Sequence, residues 1–120
     1  MNWELVKKYF KPEEFKCPCC GKCDMLPEFI LKLYKAREIS NVPFIINSGF
    51  RCRKHNTQIR GAFNSYHLKG EACDIKCEDP YTRYQIIMGA IKADIYGIII
   101  YKNFIHLDNR KERLLLIKLF

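Results

Sequence analysis

Long apolar runs are missing from this 120-residue sequence, and their absence bounds the class of protein. No run approaches the roughly 18 residues of a membrane-spanning helix, so we exclude a transmembrane protein. Residues 1–15 carry charges throughout and lack the apolar stretch of a secretory signal, so we expect a protein that is cytoplasmic as synthesised. Repeats, low-complexity segments and linkers are also missing, which favours a single domain over residues 1–120.

Acidic residues are scarce, with 13 Asp and Glu against 21 Lys and Arg, and the formal net charge is +8. Such an excess fits a polyanionic partner such as nucleic acid, an acidic membrane or an anionic cell-wall polymer, and it also serves solubility. The basic residues are scattered and form no polybasic tract. Charge alone leaves these alternatives open.

The cysteines cannot all be paired with one another, because the chain has seven. Thiols stay reduced in the cytosol, and an odd count argues against a complete disulfide framework. Residues 17–23 form a cysteine-rich loop that contains Cys17, Cys19, Cys20 and Cys23. Its C-x-x-C pair, Cys20 and Cys23, is typical of zinc knuckles, but the usual second pair is missing. The loop therefore indicates structural thiols, a second metal site with distant partners at Cys52, Cys73 or Cys77, or disulfides under oxidising conditions.

Helical and strand-like segments are interspersed along the chain, which indicates an α+β fold. We predict helices over Trp3–Lys8, from Pro27 to a stop at Asn41–Pro43, over Arg53–Arg60, and from Pro80 after the cap Asp79. The last helix would face inward with Ile86, Ile87, Ala90 and Ile91. We predict strands over Phe44–Asn47, Ala72–Lys76, Ile95–Tyr101 and Phe104–Asp108, while Leu114–Phe120 fits an edge strand or a terminal helix. We expect a small antiparallel sheet with helices packed on one side.

Three potential metal ligands lie on or beside the predicted strands: His67, Asp74 and His106. Because side chains alternate along a strand, Asp74 shares a face with Ala72, and His106 shares a face with Asp108. A carboxylate and an imidazole on neighbouring strands can meet over one ion, and catalytic zinc sites use three protein ligands. The alternative is that these are ordinary polar residues at strand ends.

A longer pattern surrounds these residues and resembles a known family. It consists of Ser48-Gly49-Phe50-Arg51-Cys52, Asn56, Gly61-Ala62, Ser65, His67, Gly70, Ala72, Asp74-Ile75, Tyr96-Gly97, Tyr101 and Phe104-Ile105-His106-Leu107-Asp108. The pattern resembles the signature of the zinc D-alanyl-D-alanine carboxypeptidases, which also include D-alanyl-D-alanine dipeptidases and endolysins that cut L-alanyl-D-glutamate bonds. The resemblance covers about residues 10–110 and implies the fold shared by these peptidases and the hedgehog amino-terminal domain.

The resemblance implies a zinc cofactor held by His67, Asp74 and His106, with water at the open fourth position as the nucleophile. Arg51 takes the family's arginine position and would hold a substrate carboxylate or the oxygen that becomes negative. The alternative for Arg51 is a structural ion pair. Ser65 would hydrogen-bond substrate or orient the ligand loop.

One position departs from the pattern of the active members. They commonly carry an acidic residue three positions before the last zinc histidine, and here that position is Asn103. An amide cannot take a proton from water, so the usual general base is missing. Asp108 is a candidate to replace this base as the proton shuttle. The alternative is that Asp108 holds His106 in the correct tautomer.

The resemblance therefore implies a zinc metallopeptidase, a hydrolase of peptidoglycan stem peptides or D-alanyl dipeptides, and a peptide rather than a nucleic acid as the partner. Positive charge would help such an enzyme find the anionic cell wall, which it would reach by lysis or phage release. The alternative is a zinc-stabilised binding module that kept the fold and lost the chemistry, as in the hedgehog signalling domain. Nucleic-acid binding through the basic surface is a third interpretation, and it predicts a steep salt dependence.

Overall fold

A computed structural model describes residues 1–119 as an α+β fold, and Phe120 lies outside the described residues. The helices are α1 (Pro27–Ser40), α2 (Arg53–Gln58) and α3 (Pro80–Lys92), with short 3-10 helices at Trp3–Val6, Pro12–Phe15 and Tyr66–Lys69. The strands are β1 (Ile46–Ser48), β2 (Ala72–Lys76), β3 (Gly97–Tyr101), β4 (Phe104–Asp108) and β5 (Leu114–Lys118). The predicted fold class is confirmed.

Local sequence explains where the two long helices begin and end. Proline stands at the first position of both, where its missing N–H is not needed. The Asp79 side chain accepts a hydrogen bond from the Thr82 N–H and caps α3, as predicted. Asn41 ends α1 in the left-handed conformation at φ 56°. Within residues 1–119, no helix is both long and apolar enough to cross a membrane.

The five strands form one sheet in the order β1-β2-β4-β3-β5. The pairings among β1, β2, β4 and β3 are antiparallel, as predicted. Of the two alternatives for the C-terminal segment, the edge strand is present as β5, and it pairs parallel with β3, so the sheet is mostly rather than entirely antiparallel. The reason is the short connection over residues 109–113. The chain reverses after β4, crosses beside Gly97 at the start of β3, and then runs in the same direction as β3.

The two faces of the sheet have different chemistry. Cys73 and Ile75 of β2 and Ile105 and Leu107 of β4 are fully buried on the face that joins the core. Helices α1 and α3 cover this face with Phe29, Ile30, Leu33, Ile86 and Ala90. Side chains alternate along a strand, so Asp74 and His106 project from the opposite face.

The inward face of α3 differs from the prediction at one residue. Ile86 and Ala90 are fully buried and Ile87 is partly buried, but Ile91 is 57% exposed. Gly89 causes the difference, because its Cα lies so close to the backbone of Ala36 that any side chain there would clash. Helix α3 therefore packs tightly against α1 at Gly89, and Ile91, about 200° further round the helix, faces away from that contact.

Candidate metal centre

The sheet brings the two strand residues of the predicted site directly opposite one another. Asp74 of β2 and His106 of β4 are paired in the antiparallel register, and His106 Nδ1 lies 3.0 Å from Asp74 Oδ1. His67 lies on the 3-10 helix that precedes β2, with Nε2 3.2 Å from the same oxygen. The three side chains thus offer three ligand atoms within 4.8 Å of one another.

In each imidazole, the nitrogen that points away from Asp74 lies beside a hydrogen-bond acceptor, which places the ring proton on that outer nitrogen. His67 Nδ1 donates to the Gly49 carbonyl at 2.7 Å, and His106 Nε2 donates to Asp108 Oδ2 at 2.8 Å. A neutral imidazole carries one N–H, so the inner nitrogens of both rings present lone pairs to Asp74 Oδ1. Two lone pairs facing a carboxylate oxygen repel it unless positive charge lies between them. The arrangement is therefore suited to a cation.

The donor set also fits zinc in type and spacing. Zinc is bound by imidazole nitrogen and carboxylate oxygen, and a catalytic site uses three protein ligands with one position free. Ligand atoms about 2.1 Å from a tetrahedral ion lie roughly 3.4 Å apart, close to the 3.0 and 3.2 Å separations seen here. His67, Asp74 and His106 thus form a preformed set of candidate ligands.

Asp74 is held in the charged form that metal binding requires. Burial favours the neutral acid, but hydrogen bonds from the facing nitrogens of His106 and His67, which form when those rings are positively charged and no cation lies between, outweigh burial and hold the pKa of Asp74 well below its usual range. The other carboxylate oxygen, Oδ2, accepts a hydrogen bond from Arg51 Nη2 at 3.1 Å. This contact leaves Oδ1 directed at the two histidines.

Arg51 therefore lies beside the three candidate ligands, and its guanidinium is fixed on three sides. Nη2 contacts Asp74, Nε donates to Ser48 Oγ at 3.1 Å, and Nη1 reaches Asn56 Oδ1 at 3.5 Å. Asn56 is itself buried and donates to the Ala62 carbonyl, so it braces the loop behind Arg51. The ion pair that the sequence left as an alternative is present, and it orients a candidate metal ligand.

Asp108 lies behind His106 rather than beside the ligand atoms. Its side chain is fully buried, Oδ2 accepts from His106 and Arg110, and Oδ1 accepts from the Arg110 backbone and Nε. Burial raises the pKa of Asp108, but the hydrogen bonds from Arg110 and His106 outweigh it and hold that pKa well below its usual range. The carboxylate is thus charged and fixes the orientation of the His106 ring.

A cavity of about 460 Å³ opens over the three ligands. Ser65 lies at its wall and also accepts a hydrogen bond from the His67 N–H, so it caps the 3-10 helix that carries His67. The charged residues of the remaining wall are basic, namely Arg51, Arg60, Arg110 and Lys118. Among the described residues that line this cavity, Asp74 is the one carboxylate. Asn103 lies in the exposed turn between β3 and β4 and is not part of the wall.

The cysteine-rich loop of residues 17–23 forms a second cluster with Cys52. The thiols of Cys17, Cys20 and Cys52 lie within 4.8 Å of one another. Cys19 and Cys20 are exposed, the Cys19 side chain contacts Cys52 at the edge of the cluster, and Cys23 packs against the core. The structure thus groups Cys17 with Cys20, and not the Cys20 and Cys23 pair named from the sequence. Cys73 and Cys77 are buried in the core as free thiols, so of the three distant partners only Cys52 joins the cluster.

Two histidines and an aspartate, held over a small sheet with one side open to a cavity, are a combination typical of zinc-dependent hydrolytic sites. The sequence profile of one family, described as Peptidase M15, matches residues 8–108. The chain therefore belongs to the Peptidase M15 family, whose members are zinc-dependent metallopeptidases. The resemblance predicted from the sequence is confirmed. No curated protein was found to match the chain.

Two supporting groups were missed by reasoning from the sequence. The Gly49 carbonyl fixes His67, and a backbone atom leaves no signature in a sequence. Arg110 holds Asp108, and its signal was present, because residues two apart in an extended chain lie on one face.

Proposed function

We propose that the protein is a zinc-dependent peptidase that hydrolyses peptidoglycan stem peptides or D-alanyl dipeptides. The observation that carries this proposal is the set of three ligand atoms of His67, Asp74 and His106 at the floor of an open cavity, with Arg51 beside them. Membership of the Peptidase M15 family supports the reaction class, and a peptide is the substrate that this class implies.

His67, Asp74 and His106 would hold the metal through Nε2, Oδ1 and Nδ1. The chemistry that zinc supplies at such a site is activation of a water nucleophile and polarisation of the carbonyl that is attacked. The protein's own contribution is orientation, since Gly49 and Asp108 fix the two rings and Arg51 fixes the carboxylate. A ligand set fixed in this way needs little rearrangement when the ion binds.

The basic cavity wall supports a substrate that carries a carboxylate. Peptidoglycan stems and D-alanyl dipeptides both end in one, and a guanidinium can hold it through two parallel hydrogen bonds. Arg51 has its longest contact, 3.5 Å, at Nη1, which is the nitrogen most easily released to a substrate. In this proposal Arg51 holds the substrate carboxylate or the carbonyl oxygen as it gains charge, and Ser65 contributes a hydroxyl from the wall.

The sequence suggested two roles for Asp108, either a proton shuttle or a residue that positions His106, and the contacts support the second. Its oxygens are occupied by His106 and Arg110 and the side chain is fully buried, so a proton would have to pass through the His106 ring to reach it. We therefore assign Asp108 as a positioning residue for His106 in preference to a proton shuttle. The leaving amine would take its proton from solvent in the open cavity.

A binding module of the same fold remains the second candidate function. One observation favours it: among the described residues of the cavity wall, Asp74 is the one carboxylate, and it serves as a ligand. Asn103 offers no replacement base, because it lies outside the wall. Such a module would bind zinc and stem peptides through the same residues without turning them over.

Digestion of purified muropeptides by the zinc-loaded protein distinguishes the two functions. The enzyme predicts release of D-alanine or cleavage between L-alanine and D-glutamate, and Asp74→Asn should abolish it. Asp94→Asn is the matched control, because Asp94 is exposed and its φ of 61° suits asparagine. Zinc binding without turnover of any stem peptide would contradict the enzyme and support the module.

A further inference from the structure

The cluster of Cys17, Cys20 and Cys52 lies outside the peptidase site and is unexplained by the proposed function. The Cys17 and Cys52 sulfurs are 3.6 Å apart, and all three sulfurs lie within 4.8 Å of one another. Sulfur ligands that each lie about 2.3 Å from a zinc ion have a similar spacing among themselves. The three thiols are therefore close enough together to bind one metal ion.

The loop is folded so that Cys17 and Cys20 face the same side. The Gly21 N–H donates to the Cys17 carbonyl and the Cys17 N–H donates to the Lys22 carbonyl, both at 2.8 Å. Gly21 has φ 73°, a conformation that costs glycine little. The result is a tight turn over a C-x-x-C spacing, the spacing that structural zinc sites use for paired thiolates.

Backbone N–H groups are directed at two of these sulfurs. The Cys52 N–H lies 3.4 Å from Cys17 Sγ, and the His55 N–H lies 3.4 Å from Cys52 Sγ. Hydrogen bonds to sulfur favour the thiolate, the form that binds metal. In agreement, burial raises the pKa of Cys17, but hydrogen bonds from the Cys52, Cys20 and Cys19 backbones outweigh burial and lower it to about 7.

A fourth donor is available at the start of α2. Cys52 is the N-cap of this helix and His55 is its third residue, which gives a C-x-x-H spacing. The side chain at that position of a helix reaches back toward the N-cap residue, as in a capping box. In this structure the His55 ring is not among the clustered groups, so it would have to turn toward them.

We propose that Cys17, Cys20 and Cys52 form a second, structural site for a thiophilic divalent metal ion such as zinc, with His55 as the fourth ligand. It would be closed and tetrahedral, unlike the peptidase site with its open position. The site would join two segments that already lie against each other, since the Phe50 N–H donates to the Phe15 carbonyl at 2.9 Å.

The second site would also support the peptidase site. The segment that it fixes, Gly49–Cys52, contains both the carbonyl that holds His67 and the Arg51 that holds Asp74. A side chain at Gly49 would meet the Phe15 backbone at 2.7 Å, so this segment has no room to shift toward Phe15. Cross-linking it through a metal would stiffen the support for both candidate ligands.

Cobalt titration of the reduced, metal-stripped protein tests the proposal without measuring activity. Thiolate ligands give cobalt(II) a charge-transfer absorption in the near ultraviolet, which imidazole and carboxylate ligands do not give. We expect that absorption in the wild type and in Asp74→Asn, and its loss in Cys52→Ser. Cys20→Ser serves as a second variant, because Cys20 is exposed and its substitution leaves the core intact.

Cys23→Ser is the matched control, since Cys23 lies in the same loop and outside the cluster. Cys23→Ser should keep the charge-transfer absorption and bind two ions per chain, as expected for the wild type. Cys20→Ser should bind only the one ion of the peptidase site. His55→Ala should weaken cobalt binding at the thiols, and an unchanged affinity would remove His55 from the ligand set.

A wild-type cobalt complex without thiolate absorption would overturn the proposal. This outcome leaves the peptidase site untouched. Conversely, a protein that shows the thiolate absorption but cleaves no stem peptide would refute the proposed function and leave the second site standing.

Discussion

Asp108 Oδ2 lies 2.8 Å from His106 Nε2, and this contact turns the His106 Nδ1 lone pair toward Asp74. Replacing Asp108 with asparagine removes the charge that fixes the ring. Partners of ligating histidines typically contribute 10–100-fold to metal affinity, so we expect Asp108→Asn to weaken zinc binding by about that factor.

Competition with a chromophoric chelator measures the affinity, and the Cys20→Ser background confines the titration to the peptidase site. Asp94→Asn should leave the affinity unchanged. Equal affinities for Asp108→Asn and the control would show that Asp108 does not position His106.

Gly97 provides a test that removes no polar group. A Cβ at this position would overlap the Asp108 carboxylate, which faces Gly97 across the register of β3 and β4. Gly97→Ala should therefore displace Asp108, lower the free energy of unfolding by roughly 1–3 kcal/mol through overpacking, and weaken zinc binding. Denaturant unfolding and chelator competition measure the two effects.

Gly89→Ala is the matched control for Gly97→Ala, because it crowds the α1 and α3 interface away from the site. It should destabilise the fold and leave zinc affinity as in the wild type. A parallel loss of affinity in both variants would mean that affinity simply follows stability.

Arg51 is expected to matter for turnover more than for metal content. Lysine keeps the charge but lacks the planar fork that contacts Asp74 and can hold a carboxylate. We expect Arg51→Lys to retain zinc and to lower kcat/KM on stem peptides about 10²–10³-fold. Arg53→Lys, at an exposed arginine two residues away, should match the wild type. Undiminished turnover in Arg51→Lys would leave Arg51 with its structural ion pair alone.

Metal removal should change stability in a pH-dependent manner. Burial lowers the pKa of His106, but hydrogen bonds to Asp108 and Asp74 outweigh burial and raise it above its ordinary value of 6.5. In the metal-free protein, protonated His106 therefore adds stability that is present below pH 6.5 and is lost as pH rises through the raised pKa. Zinc requires the neutral ring, so its contribution has the opposite trend.

The difference in Tm between zinc-loaded and chelator-treated protein should thus grow from pH 6 to pH 8, a range of about two units that spans the ordinary histidine pKa of about 6.5. At free zinc about 100-fold above Kd the stabilisation approaches about 2.7 kcal/mol. Scanning calorimetry in the Cys20→Ser background measures it, and a Tm difference that is constant or shrinks with pH contradicts the assignment of His106.

The site was predictable from the sequence to the extent that it depends on alternation along strands. Asp74 and His106 occupy matching positions in β2 and β4, whose bounds follow from their apolar alternation, so their meeting could be anticipated. The role of Arg51 beside them was predicted from a family motif and not from a physical argument about its neighbours. The Gly49 carbonyl was invisible, because which backbone atom lies near His67 depends on the path of a loop.

The parts that failed depend on contacts between elements far apart in the chain. Leu114–Lys118 carries apolar residues without a helical or strand period, so its parallel pairing with β3 was not predictable from its own residues. Ile91 fits an amphipathic helix, yet the close approach at Gly89 rotates it outward. Cys17 and Cys20 meet Cys52 although Cys17 and Cys52 are 35 positions apart in the chain, a separation that spacing rules for a single loop do not cover.

Anomalous diffraction across the zinc absorption edge, from crystals of zinc-loaded protein, tests most directly whether His67, Asp74 and His106 form the metal centre. We predict a zinc peak about 2.0–2.2 Å from His67 Nε2, Asp74 Oδ1 and His106 Nδ1, inside the cavity that Arg51 lines. A structure without zinc at these atoms, or with zinc at the cysteines alone, would contradict the assignment of a peptidase site to this chain.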